Sequence, residues 1–151
     1  MAYVPKTPPF FPAAFSFKVN VVGITGVYEG SFQEVTGLGA KLGVETIKEG
    51  GENRFEHRLP NPVKYDNLIL KRGMVLNSGL ILWARSSIES FNFITKTVIV
   101  NLLDETGAPI ASWSFNAAYP VALKVSDLKA QDNAIVIETL ELSYSYFTRI
   151  F

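Results

Sequence analysis

Histidine, paired acidic residues and glycine-rich segments are the parts of this sequence whose chemistry could serve catalysis or ligand binding. His57, the sole histidine, lies among charged residues in RFEHRL. A catalytic histidine needs a nucleophile or an orienting carboxylate beside it, and a metal site needs several ligands. We therefore interpret His57 as a solvated or interface residue.

Two pairs of acidic residues could suggest the carboxylates of a glycosidase. Asp104 and Glu105 belong to a DETG segment, which is typical of a turn. Glu138 and Glu141 lie in a strand pattern at positions of opposite parity, so they point to opposite faces. The sequence therefore predicts no acid–base pair.

Glu138 shares its parity with Leu140 and Leu142, which places a carboxylate on an apolar face. Burial of an unpaired carboxylate is costly. Two explanations stay open. Either a β-bulge shifts the strand phase at this point, or Glu138 meets a cation such as Lys71 or Arg72 at a subunit boundary.

The remaining candidates have structural explanations. The glycines of EGGEN and TGLGAKLG match neither phosphate-binding pattern, GxGxxG or GxxxxGK[ST], followed by a helix, and turn geometry explains them better. Trp83 falls in a helical stripe and Trp113 in a strand, so both are expected in the core. The sequence has no cysteine, which removes disulfides, thiolate nucleophiles and cysteine-based zinc sites. We expect no catalytic residue, metal or cofactor.

Composition favours one folded domain that associates with itself. The 151 residues are 48% hydrophobic, and 14 basic residues balance 14 acidic ones. Without a basic face, sequence-independent nucleic-acid binding by the monomer is not expected. No apolar run approaches the ~20 residues that span a bilayer, and the N-terminal prolines interrupt any signal-peptide pattern. We expect folding in the cytoplasm without a cleaved signal.

Alternating polarity predicts β-strands through most of the chain. The segment 15–22 is a half-buried strand whose apolar face includes Val19 and Val21. The segment 134–147 is a final strand with a comparable alternation. Its apolar face is expected to hold Leu140, Leu142, Tyr144 and Tyr146, and its polar face Thr139, Glu141, Ser143 and Ser145.

A single helix is predicted after the strand at 67–74, with Asn77 or Ser78 as its N-cap. Residues 1–14 are rich in proline and are expected to form an extended N-terminal arm, and 15–151 a single β domain. The apolar stripe of the predicted helix consists of Leu80, Trp83, Ala84, Ser87, Ile88 and Phe91.

The segment 34–73 joins two alternating strand patterns through the EGGEN glycine pair and returns in the strand KYDNLILKRG. Together with LLDETG at 102–107, WSFNAAYP at 113–120 and IETLELSY at 137–144, it resembles the tube subunit of contractile phage tails and phage-tail-like contractile injection systems, which have the haemolysin-coregulated-protein-like fold. The resemblance implies a mainly β fold of two packed antiparallel sheets, with one flanking α-helix and an extended β-hairpin. It also implies rings of six subunits that stack into a hollow tube inside a sheath.

The resemblance further implies roles for particular residues. The hairpin at about 43–60 would reach an adjacent ring, and the N-terminal arm and the loop after Tyr119 would help contacts around or between rings. The expected contacts of the hairpin with the next ring are Lys48, Glu49, Gly50, Gly51, Glu52, Asn53 and Arg54. The expected lumen-facing residues, taken from polar strand faces, are Ser16, Lys18, Asn20, Glu141, Ser143 and Ser145.

An assembly protein, and not an enzyme, is what the resemblance implies. The expected partners are copies of the chain, a contractile sheath protein, baseplate or hub proteins, terminator proteins, and DNA or protein cargo in the lumen. Assembly is expected in the bacterial cytoplasm, and the product in a virion or a released phage-tail-like particle. A monomeric β-sandwich that binds a ligand and a secreted tube-like effector stay open as alternatives.

Overall fold

The computed structural model describes residues 16–24, 31–51, 53–75, 78–130 and 135–151. The predicted arm at 1–14 and the residues Glu52 and Asn77 lie outside this part of the chain. Strands dominate the described residues, which contain one helix, α1 (Gly79–Glu89). The strands are β1 (Ser16–Val21), β2 (Ser31–Phe32), β3 (Glu34–Thr36), β4 (Ala40–Ile47), β5 (His57–Tyr65), β6 (Leu68–Gly73), β7 (Lys96–Leu103), β8 (Pro109–Val125), β9 (Ile137–Ser143) and β10 (Tyr146–Arg149).

The strands form two sheets that share the long strand β8, and every pairing between described strands is antiparallel. The order is β2-β1-β7-β8-β9-β6-β3, and β10 also pairs with β8. β7 pairs with the first part of β8, residues 109–118, and β9 with the second part, 119–125. Ala117, close to where the first part ends, has φ +54°. The strands β4 and β5 form a separate hairpin. The predicted fold is thus confirmed.

The core lies between the inner faces of the two sheets and is closed by α1, which packs on β8. Strand polarity explains which residues it contains, because the burial of an apolar side chain contributes ~1.5–3 kcal/mol. Val19 and Val21 of β1 are buried, as are Leu140 and Leu142 of β9, whereas residues at the alternate positions are exposed or half-buried. The predicted register of both strands is confirmed.

The final strand differs from the prediction at Tyr146, which is 48% exposed. β9 ends at Ser143, and the chain bends at Ser145 before β10 begins. The bend resets the alternation, so Phe147 packs against the core in place of Tyr146. Tyr144 packs against the core as predicted.

The helix begins and ends close to its predicted bounds, but two residues of the predicted stripe do not contribute to the core. Leu80, Trp83, Ala84 and Ser87 are buried. Ile88 lies at the edge of this stripe and is 46% exposed, and Phe91 is 82% exposed because it follows the helix with φ +51°. Ser78 holds the N-cap position, yet its hydroxyl accepts a hydrogen bond from Arg72 Nη2 at 2.6 Å and does not cap the helix.

Candidate assembly surfaces

The hairpin of β4 and β5 projects from the domain without pairing to any other described strand. Its register runs from Ala40 opposite Tyr65 to Ile47 opposite His57. An isolated two-stranded hairpin is only marginally stable in water, and this one exposes large apolar side chains. Those at least 40% exposed are Leu42, Val44, Ile47, Phe55, Leu59 and Val63. So many exposed large apolar side chains on one hairpin favour a contact with another molecule.

An ion pair and a hydrogen bond join the two sides of the hairpin tip. Lys48 Nζ lies 3.5 Å from Glu56 Oε1, and His57 Nε2 lies 2.9 Å from Glu49 Oε2. His57 is therefore an exposed hydrogen-bonding partner that links the two sides of the loop. Gly51 has φ +90°, the left-handed conformation that glycine adopts most easily. The structure thus places the predicted contact residues Lys48 to Gly51, Asn53 and Arg54 together on one exposed tip.

An aromatic cluster anchors the base of the hairpin to the domain. The ring of Tyr65, the last residue of β5, lies 5.7 Å from the ring of Tyr144 and 5.3 Å from that of Phe147. The Tyr144 hydroxyl donates a hydrogen bond to the backbone carbonyl of Asp66 at 2.7 Å. Burial, with the nearby Asp66 charge, raises the pKa of Tyr144 to about 12, so this donor keeps its proton at neutral pH. The cluster fixes where the hairpin leaves the body.

The predicted lumen-facing residues form two polar strips on different sheets. Ser16, Lys18 and Asn20 are exposed on the outer face of β1. Glu141 and Ser143 are half-buried on the outer face of β9, where Glu141 accepts a hydrogen bond from Asn67 Nδ2 at 2.9 Å. Ser145 lies at the exposed bend after β9.

Glu138 meets one of its predicted cations, Arg72, but it does so within the chain and not at a subunit boundary, and Lys71 also pairs within the chain. Arg72 and Glu138 are register partners on β6 and β9, and Arg72 Nε lies 4.0 Å from Glu138 Oε2. Both side chains are about 95% buried, at 4% and 5% exposure. Lys71 lies on the opposite face of β6, with Nζ 3.8 Å from Glu34 Oε2. No β-bulge explains the burial of Glu138. Its cationic partner, Arg72, lies in the same subunit.

The DETG turn between β7 and β8 is confirmed. The Asp104 carboxylate accepts hydrogen bonds from the Thr106 hydroxyl at 2.7 Å and the Ala108 amide at 2.9 Å. The Gly107 amide donates to the Asp104 carbonyl at 3.1 Å, with Gly107 at φ +85°. The hydrogen bond from the Thr106 hydroxyl, and to a smaller extent that from the Ala108 amide, holds the pKa of Asp104 below its usual range.

We expect Asp104→Asn to weaken the acid sensitivity of the fold. A carboxyl group whose pKa is lower in the folded state stabilises the fold above its unfolded pKa of ~3.9, and this contribution is lost as the pH falls through the folded pKa. Thermal unfolding followed from neutral pH to about pH 2 should therefore show a shallower loss for Asp104→Asn than for the wild type. The exposed neighbour provides a control, since Glu105→Gln leaves the turn bonds intact. Parallel acid profiles for Asp104→Asn and wild type would contradict this expectation.

Two exposed apolar patches are not predicted by the sequence patterns. An apolar patch surrounds the end of α1, and a second lies in the loop between β8 and β9. Their exposure depends on where the chain turns, because the predicted helical stripe placed Ile88 and Phe91 in the core. The exposed apolar residues of the two patches are Leu82, Ile88, Phe91, Phe93, Ile94 and Val121, and Leu128 and Ile135.

The described ranges show neither a metal-binding cluster nor a membrane-spanning helix. These ranges contain no group of three or more His, Asp or Glu side chains placed to hold a metal ion. Nor does α1, the helix within them, have the length and apolar character needed to cross a membrane.

Comparisons with known proteins agree with this architecture. The family model described as T4-like virus tail tube protein gp19 matches residues 13–148. A chain in the cryo-EM structure of the anti-feeding prophage (AFP) baseplate, 6-fold symmetrised, is 30% identical, with a TM-score of 0.79 over 94% of this chain and 95% of that chain. A chain in the sheath-tube complex of the extracellular contractile injection system PVC is 20% identical, with a TM-score of 0.77 over 93% and 91% of the two chains. Hcp1 from Flavobacterium johnsoniae is 17% identical, with a TM-score of 0.59 over 89% and 94%.

No curated protein sequence matches this chain significantly. The family match nevertheless extends over most of the sequence and includes both sheets, the helix and the hairpin. The AFP relative spans nearly the full length of both chains at 30% identity. This chain therefore belongs to the T4-like virus tail tube protein gp19 family.

Proposed function

We propose that this protein builds the inner tube of a contractile tail or injection system, as stacked rings of six subunits around a channel for DNA or protein cargo. The observation that carries the proposal is the hairpin, whose apolar residues are exposed on both strands and pair with nothing else in the described chain. A surface of this kind needs a partner. In a homo-oligomer, the available partner is another copy of the chain.

Unpaired strand edges support the ring. In the described chain β3 and β10 each pair along one side only, with β6 and β8 respectively. Exposed edges are templates for further strand pairing, which natural proteins cover or use. A head-to-tail contact repeated around an axis closes into a ring when the rotation closes, and the AFP relative comes from a structure symmetrised six-fold.

The polar outer faces support a water-filled channel. Ser16, Lys18 and Asn20 on β1, with Glu141, Ser143 and Ser145 near β9, are the side chains we assign to the channel wall. They mix neutral polar groups with one positive and one negative charge, so the wall would hold neither nucleic acid nor protein strongly. Such a wall lets cargo pass.

The remaining partners follow from the solved relatives. Solved relatives come from an AFP baseplate, a PVC sheath-tube complex and a PVC sheath/tube terminator. They support a contractile sheath, baseplate or hub proteins and a terminator as partners of this chain. The role is structural and the tube passive. Assembly would occur in the bacterial cytoplasm, and the product would be part of a virion or a released particle.

The test is to shorten the hairpin without disturbing its paired strands. Ile47 and His57 are register partners, so residues 48–56 can be replaced by Asn-Gly, which favours a tight two-residue turn. Negative-stain microscopy and native mass spectrometry of the wild type should show rings of six and stacked tubes. The shortened variant should keep the rings and lose the tubes.

Circular dichroism of the shortened variant supplies the control, because an unchanged spectrum shows that the domain still folds. Wild-type protein that stays monomeric at every concentration would reject the tube. Normal tubes from the shortened variant would reject the hairpin as the stacking element.

A further inference from the structure

Two residues other than glycine have a left-handed backbone in the part of the chain that the structure describes, and both border one exposed surface. Phe91, which follows α1, has φ +51°, and Ala117, two residues before Tyr119, has φ +54°. This conformation is unfavourable for a residue with a side chain and persists only where the surroundings fix it. The Asn92 amide fixes the turn at Phe91 by donating to the Ser86 carbonyl at 3.1 Å. The turn therefore holds the ring of Phe91 in water, at 82% exposure.

The ring of Phe91 is part of an open cleft with a volume of about 320 Å³. Its centroid lies 4.7 Å from that of Phe93, which lies 5.8 Å from that of Tyr119, and both pairs meet edge-on. We call this surface the aromatic cleft and define it by Ile88, Phe91, Phe93, Tyr119, Pro120 and Val121. None of these described residues is charged. An exposed apolar surface with several rings favours a partner that is itself apolar.

The N-terminal arm, residues 1–14, has the composition of a ligand for such a cleft. Its sequence MAYVPKTPPFFPAA contains four prolines, three aromatic residues and a single charged side chain, Lys6. Proline-rich segments bind in aromatic-lined grooves because proline already restricts the backbone, so that little conformational entropy is lost on docking. Phe10 and Phe11, which lie between prolines, add rings that can pack against those of the cleft. The arm therefore matches the cleft in polarity and in aromatic content.

Strand register places the start of β1 and the aromatic cleft at opposite ends of the sheet formed by β1, β7 and the first part of β8. Ser16, where β1 begins, lies opposite Leu103, the last residue of β7. Phe93 of the cleft precedes the other end of β7, where Lys96 lies opposite Ala118. At ~3.4 Å per residue the two ends are about 25 Å apart. An arm that continues the line of β1 beyond Ser16 extends away from its own cleft, toward the cleft end of a copy translated along the strands.

We propose that the N-terminal arm of one copy binds in the aromatic cleft of a neighbouring copy, with Phe11 packed against Phe91 and Phe93. This inference rests on the proposed self-assembly and adds a contact in which the hairpin takes no part. In a polyproline II conformation the arm would span about 40 Å, which is long enough to reach across a subunit boundary. Each copy donates an arm at one end of the sheet and receives one at the other. The contact is therefore head-to-tail and can repeat from copy to copy.

Cysteine cross-linking tests the contact directly, because the native sequence contains no cysteine. The double variant Phe11→Cys/Val121→Cys should form covalent ladders of several copies after mild oxidation of assembled tubes, since a disulfide needs Cβ atoms about 4 Å apart. The matched control is Phe11→Cys/Val63→Cys, because Val63 lies on the hairpin and is 41% exposed, against 40% for Val121. Equal yields from the two variants, or disulfides confined to single chains, would overturn the inference.

Phe91→Asn separates arm binding from folding. Asparagine adopts the left-handed conformation more readily than phenylalanine, and the exposed ring of Phe91 loses little burial, so the free energy of unfolding should not fall. Trypsin reports on the arm, in which Lys6 is the only cleavage site. In assembled Phe91→Asn, cleavage after Lys6 should be about 10-fold faster than in assembled wild type, the change expected for loss of an interface contact residue. Phe91→Tyr keeps the ring and should be cleaved at the wild-type rate.

Three outcomes of these measurements would contradict the contact. If the wild type assembles and its arm is cleaved as fast as that of Phe91→Asn, the contact is wrong while the proposed function stands. A Phe91→Asn variant less stable than the wild type would show that the ring supports the fold and does not serve binding. If the wild type forms neither rings nor tubes, the proposed function fails, and this contact fails with it.

Discussion

Replacement of Gly37 by alanine should destabilise the domain by about 3 kcal/mol or more, the combined effect of an unfavourable backbone conformation and steric overlap. Gly37 has φ +90°, and a Cβ atom there would lie 2.0 Å from the backbone carbonyl oxygen of Asn67. A backbone atom cannot rotate away as a side chain can. Gly37 follows β3 and Asn67 precedes β6. The overlap would therefore push apart the two segments that connect the hairpin to these strands.

Gly51 is the matched control for this substitution. It has the same φ of +90°, but at the hairpin tip nothing lies within 4 Å of the position that a Cβ atom would occupy. Gly51→Ala should therefore lower the free energy of unfolding by only about 1 kcal/mol, which is the effect of the unfavourable backbone conformation alone. Urea unfolding of both variants measures the difference in the free energy of unfolding. Equal losses would show that the contact between Gly37 and Asn67 is not tight.

Removal of the buried carboxylate should have an effect of similar size. Glu138→Ala removes the carboxylate that lies 4.0 Å from the buried Arg72 guanidinium, and breaking a buried pair by removing one partner costs about 3–5 kcal/mol. Arg72 also donates a hydrogen bond to Ser78 at the start of α1 and lies 5.1 Å from the centroid of the Phe32 ring. The loss should therefore loosen the helix start as well as the sheet.

The double variant Arg72→Met/Glu138→Leu tests the cause. Replacing both charges by apolar groups of similar size is often neutral or stabilising, so the double variant should be more stable than Glu138→Ala. Chemical unfolding of the wild type, Arg72→Met, Glu138→Leu and the double variant gives the coupling free energy. A coupling close to zero would mean that the two side chains act independently, contrary to their placement.

Alternating polarity was sufficient to predict most strands and the register of β1 and β9. Val19 and Leu142 are buried for the same local reason, that one face of each strand is apolar. Tyr146 could not be predicted in this way, because the bend at Ser145 depends on how β10 continues along β8. The exposure of Phe91 could not be predicted either, because it depends on the position at which α1 ends.

The candidate surfaces were predicted less completely. The glycine pair and the resemblance located the hairpin tip, and parity placed Glu138 on an apolar face. The partner of Glu138 was expected at a subunit boundary, yet it is Arg72 on the neighbouring strand of the same chain. Pairing between β6 and β9 joins positions far apart in the sequence, and no local pattern specifies it.

Because both sheets share strand β8, they should unfold together, whereas the hairpin of β4 and β5 should not be coupled to them in this way. β8 pairs with β7, β9 and β10, so neither sheet can open without breaking bonds that also hold the other. The two sheets should therefore behave as one cooperative unit. The hairpin of β4 and β5 shares no such strand, and it can open while the rest stays folded. In a free subunit, the hairpin that carries the predicted contact residues should thus open at a lower free-energy cost than either sheet.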